Sequence, residues 1–176
     1  MQYFANSLGA LITPYSVTGN YIIEAIFKSI DLCLLYSIFI IYFKDIKKAI
    51  VASLLFFAIL VSRPCYVFGN QNEQYQFTGF LITLLILSKY NQKKLFDRTF
   101  EFPMKYMLVL GICFSFVFGF KMNYTLAFVP IAIIIIGDMI FRKKYLYAIK
   151  NVIGGLIGVI IGAFLGFFYL EFIKIY

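Results

Sequence analysis

The basic residues of this chain come in three clumps, with apolar runs paired between them. Of its 16 Lys and Arg residues, twelve fall at Lys44, Lys47 and Lys48, at Lys89, Lys93, Lys94, Arg98 and Lys105, and at Arg142, Lys143, Lys144 and Lys150. A chain that crosses a bilayer twice between successive clumps produces this pattern, because Lys and Arg favour the cytoplasmic loops. The composition agrees: 62% of the residues are hydrophobic, against roughly 45–50% apolar content in soluble domains. Lipid, not a core, must cover that surface. The net charge of +8 flanks hydrophobic spans and forms no continuous stripe, so nucleic acid is not the expected partner.

A helix that spans the hydrocarbon core needs about 20 residues, with a range of roughly 17–25. By that ruler the sequence predicts an all-α polytopic transmembrane bundle of about six spans over a single domain, 1–176. The spans are Tyr21–Phe43, Ile50–Val61, Phe77–Leu87, Pro103–Phe120, Tyr124–Phe141 and Val152–Ile173. The second is short and begins within the basic cluster. Pro103 suits a first helical turn, and Pro130 predicts a kink. Phe4–Thr13 is apolar but too short to span, and reads as an interfacial or re-entrant helix ended by Pro14. The first residues lack the basic region of a signal peptide.

With the loops 44–48, 89–105 and 142–150 assigned to the cytoplasm, the opposite side holds only Arg63, Lys121 and Lys174. Lys28 falls inside the first span. The expected location is therefore the cell membrane, crossed several times. Tyr42, Tyr90, Tyr145, Tyr147 and Tyr176 lie near the predicted interfaces, where aromatic anchors belong.

Three groups of residues merit attention for chemistry or packing. Gly154, Gly158, Gly162 and Gly166 repeat every four residues, so they share one helix face. Small residues there admit a second backbone, from this chain or from a partner. Glu24, Lys28 and Asp31 share a face of the first span. They read either as an internally paired cluster or as one wall of a polar cavity. The outer segment Arg63–Tyr75 holds Glu73 among Asn70, Asn72 and Tyr75, a set suited to gripping sugar hydroxyls or to a solvated loop. Lys121 lies in a very short outer turn, where it either meets a lipid phosphate or snorkels. The three cysteines show no CxxC spacing and the chain has no histidine. No metal site, and no cofactor, is expected.

Three patches together resemble the bacterial integral-membrane glycosyltransferases of the GT-C type, those related to protein mannosyltransferases and to lipopolysaccharide-core glycosyltransferases. They are Asn6–Ile12 followed by Tyr21-Ile-Ile-Glu24, Gly69-Asn-Gln-Asn-Glu-Gln-Tyr75, and Gly119-Phe-Lys-Met-Asn123 with the apolar span after it. The resemblance implies a polyprenyl-phosphate-linked sugar as donor and a cell-envelope glycan or lipid as acceptor. It implies that Asn70, Glu73 and Tyr75 build the sugar or acceptor site. Lys121 and Asn123 would meet the lipid phosphate, and Glu24 would support the cavity. The family's first outer loop, with its catalytic acid, would precede Met1. The expectation is thus a portion of a larger enzyme, not competent alone and with its catalytic residues unassigned. A transporter or flippase fragment and a non-catalytic membrane subunit are the alternatives.

Overall fold

The computed structural model describes residues 9–13, 18–61, 72–96, 101–120 and 122–174. Among these the fold is all-helical. The helices are α1 (Thr18–Phe43), α2 (Ile46–Val61), α3 (Asn72–Phe96), α4 (Met104–Phe120), a 3-10 helix (Met122–Ala127), α5 (Phe128–Phe141) and α6 (Tyr145–Lys174). A single helical turn at 9–12 precedes them. The chain divides into two compact units, Met1–Gln92 and Lys93–Tyr176.

Among the described residues, two stretches are long and apolar enough to cross a membrane: Thr18–Phe43 and Tyr145–Leu165. Only 17% and 28% of their most apolar windows are buried. A core helix of a soluble protein would be mostly covered, so these surfaces suit lipid. Ile133, Ile134, Ile160 and Leu165 are each more than 60% exposed, as lipid-facing side chains would be. Met104–Gly119 and Thr125–Phe141 are apolar but shorter.

In the first unit, α1 and α3 run in the same direction. Their meeting points advance together: Phe27 against Tyr75 at 5.1 Å between ring centroids, Asp31 against Thr78, and Tyr42 against Ser88. α2 returns between them, as hydrophobic burial requires. Leu35, Ile38 and Leu81 form a core onto which Phe57 of α2 and Leu85 pack. The turn from α1 to α2 has two local causes. Lys44 takes a left-handed conformation, φ 53°, and ends α1. Asp45 then caps α2, accepting the backbone N–H of Lys47 at 2.9 Å. The turn at 9–12 folds onto the start of α1, where a Cβ on Gly19 would collide with the Gly9 carbonyl. Gly19 N–H donates to the Thr13 hydroxyl at 2.7 Å.

In the second unit, α4 lies against the glycine face of α6. A Cβ on Gly158 would strike the Leu108 carbonyl, and one on Gly162 would sit 2.7 Å from Ser115 Cβ. Gly111 of α4 returns the contact, so small residues face each other across the crossing. Ser115 Oγ donates to the Val159 carbonyl at 3.1 Å. The glycine face is thus filled by this chain's own helix at Gly154, Gly158 and Gly162; the surroundings of Gly166 lie outside the described residues.

One end of this unit gathers charge. Asp138 meets Lys94 at 2.8 Å and Arg142 at 3.3 Å, and Lys144 pairs with Glu101. α5 stops there in a Schellman turn. Lys143 N–H bonds to Ile140 O and Lys144 N–H to Met139 O, both at 2.9 Å, with Lys143 at φ 60°.

Four expectations change in detail. The third predicted span, Phe77–Leu87, lies within a helix of 25 residues, because hydropathy does not register the polar turns at its two ends. Asn72, Glu73 and Tyr75 therefore belong to the start of α3, not to a loop. Pro130 does not lie in the middle of α5. It sits in the first turn of α5, where a missing N–H is free of cost, just after the 3-10 segment. Tyr90 is buried at 6% exposure, whereas Tyr42, Tyr145 and Tyr147 have the exposure that an interface anchor needs; Tyr176 lies outside the described residues. The segment Phe4–Thr13 is described only from Gly9 onward.

Candidate functional site: a polar seam in the first unit

Two ionisable residues of α1 are buried, and both sit on the face that meets α3. Glu24 is 5% exposed and Asp31 0%. Seven residues apart, they lie about two turns, or ~10 Å, from each other along one side of the helix. Asp31 stands near the middle of a 26-residue helix, about 20 Å from its ends. A charged Asp at that depth costs ~2.5–3.5 kcal/mol on insertion scales, so its environment must supply polar contacts.

α3 supplies some of them. Thr78 Oγ1 donates to Asp31 Oδ1 at 2.6 Å, a buried bond across 47 residues of sequence. Tyr75, 1% exposed, lies within electrostatic range of Glu24 and packs edge-on against Phe27. Gln76 is 2% exposed. Three polar atoms of the seam nevertheless have no hydrogen-bond partner: Glu24 Oε1, Asp31 Oδ2 and Gln76 Nε2. Lys28, half-buried between the two acids, is within electrostatic range of Asp31 but forms no ion pair with either among the described residues. The internally paired cluster that the spacing allowed is thus replaced by a pairing between helices.

Of the six residues singled out from sequence, Glu24 and Tyr75 are both buried in this seam, within electrostatic range of each other. Asn70 and Lys121 lie outside the described residues, as do the side chains of Glu73 and Asn123. The backbone of Glu73 occupies the second position of α3. Asn123 lies in the 3-10 helix. Sequence reasoning overlooked Thr78 and Gln76. The available signal was their placement near Tyr75, as polar residues opening an apolar stretch.

The second unit offers a different surface. An apolar crevice of about 660 Å³ lies between α4, α5 and α6, lined by residues such as Leu110, Phe114, Phe128, Ile136 and Leu156. Its walls carry no hydrogen-bonding chemistry and suit a hydrocarbon chain. Below it, Asn151 is 1% exposed. Its amide donates to the Tyr147 carbonyl at 3.0 Å, and its Oδ1 is unpartnered.

These features define, among the described residues, an all-helical protein with two helices long and apolar enough to cross a membrane and a buried polar seam. No protein-family model, curated protein or solved structure matches this chain.

Proposed function

We propose that this chain is a six-span membrane protein carrying part of a glycosyltransferase core. Its substrate is a polyprenyl-phosphate-linked sugar, transferred to an acceptor in the cell envelope. The observation that carries the reading is the burial of both Glu24 and Tyr75, within electrostatic range of each other. They come from two separate patches that resemble the GT-C enzymes, and both are buried in one seam.

Other features support it. α4, with 17 residues, reaches the lower limit for a span. The 3-10 helix lengthens the next one: six residues at ~2.0 Å rise and 14 at ~1.5 Å reach about 33 Å. That matches a hydrocarbon core of about 30 Å. The clustering of Lys94, Arg142 and Lys144 at one end of the second unit suits cytoplasmic loops at 89–105 and 142–150, with 44–48 on the same side. The apolar crevice is a seat for the lipid tail.

On this reading a carboxylate removes the acceptor proton, and cations stabilise the departing lipid phosphate. Asn70, Glu73 and Tyr75 hold the sugar or acceptor. Lys121 and Asn123 face the phosphate, and Glu24 braces the cavity. A transporter of the same lipid-linked sugar is the second reading, favoured by the buried Glu24 and Asp31.

The test is binding of a radiolabelled polyprenyl-phosphate sugar to the full chain in nanodiscs. Loss of one charged contact is worth ~1.5–3 kcal/mol, so Glu73→Gln and Lys121→Ala should each weaken binding about tenfold or more. Unchanged binding in both would overturn the reading. Movement of the lipid-linked sugar across vesicles, with no transfer in any reconstituted membrane, would favour the transporter.

A further inference from the structure

We infer that the Asp31–Thr78 pair is a binding site for one small monovalent cation, a proton or a sodium ion, taken up from water into the first unit. The argument is one of charge and partners, and it does not rest on the glycosyltransferase reading. Asp31 is fully buried, yet only one of its oxygens is bonded, by Thr78 at 2.6 Å. Its Oδ2 has no partner. Burying an ionised carboxylate costs several kcal/mol unless its charge is matched.

The surrounding helices do not match it. On α1 the nearest charges are Glu24, a second negative group, and Lys28, which is half-buried and within electrostatic range of Asp31 but forms no ion pair with it; the two offset each other and leave one net negative charge. α2 carries no charged side chain from Ala49 to Val61. α3 carries none from Gln74 to Ser88; its titratable member is Tyr75, beside Glu24. One positive charge at Oδ2 would complete the site, with Thr78 Oγ1 as the second oxygen. A divalent ion does not fit, because two positive charges exceed the one net negative charge of the buried site; a sodium ion would complete its oxygen shell with retained waters. No group of three or more His, Cys, Asp or Glu side chains is assembled among the described residues.

Infrared spectroscopy of the full chain in nanodiscs at neutral pH tests this. A bound proton gives a carboxylic-acid band. A bound sodium ion gives a carboxylate band that shifts when choline replaces sodium. In either case the signal should vanish in Asp31→Asn, persist in Glu24→Gln, and change in Thr78→Val, which keeps every charge. Thr78→Val also serves as the independent variant if Asp31→Asn does not fold. A carboxylate band for Asp31 indifferent to sodium, or a signal unaltered by Thr78→Val, would overturn the proposal.

Discussion

Thr78 donates a hydrogen bond of 2.6 Å to Asp31, joining α3 to the middle of α1. The bond ties the two parallel helices of the first unit at their deepest polar point. Thr78→Val preserves shape and removes the donor, leaving the carboxylate further underserved. The expected loss is ~1–3 kcal/mol, measured by denaturant unfolding in detergent. Thr83 is the internal comparison. Its hydroxyl bonds to Gly79 O of its own helix at 2.9 Å, so Thr83→Val should cost about 0.6 kcal/mol or less.

The α4–α6 crossing predicts a sharp contrast between glycines. Gly158→Leu drives a side chain into the Leu108 backbone, and overpacking of that kind costs ~1–3 kcal/mol or more. Gly137 has open space where its Cβ would lie. Gly137→Ala should therefore leave stability unchanged or raise it by ~0.5–1 kcal/mol through helix propensity. Thermal unfolding of the two variants side by side checks both signs.

Lysine ends two helices in a conformation that glycine adopts more cheaply. Lys44 and Lys143 both have positive φ, at a cost of ~1–2 kcal/mol for an L-residue. Lys143→Gly should raise stability by about 1 kcal/mol, with the Schellman bonds retained. Both lysines belong to basic clumps, which is a reason for charge to hold these positions against the backbone preference.

Acid sensitivity should trace partly to Glu101. The hydrogen bond from Lys144 holds its carboxyl below the ordinary glutamate range. A carboxylate lowered in the folded state adds stability above its unfolded titration, and that stability is lost as pH falls through the folded value. The loss therefore belongs to the acid side of the ordinary carboxylate range. Lys144→Met should flatten that limb of a melting-temperature-against-pH curve and leave the neutral plateau nearly level. An unchanged acid limb would remove the pair from the account.

The helical class and the C-terminal edge of α1 were legible because a long apolar run stops abruptly at Phe43 and Lys44; its start at Thr18 lies three residues before the expected Tyr21. The glycine face was legible because a spacing of four is a local geometric fact. α3 was read too short, since its polar first and last turns are helical for reasons that hydropathy does not register. The partners of Asp31 were not legible at all. A bond between residues 47 apart depends on how two helices align, and local spacing pointed instead to Lys28. The outer patches holding Asn70 and Lys121 lie outside the described residues, so their part of the site rests on sequence.

The sidedness of the membrane underlies the proposed sugar site, and cysteine accessibility tests it most directly. In a Cys33→Ser, Cys113→Ser background, an impermeant thiol reagent added outside intact cells should label Cys65. A Lys93→Cys variant, with Cys65 also replaced by Ser, should be labelled only after the membrane is opened. Labelling of position 93 from outside, with Cys65 protected, would contradict the orientation and move the proposed sugar site to the wrong face.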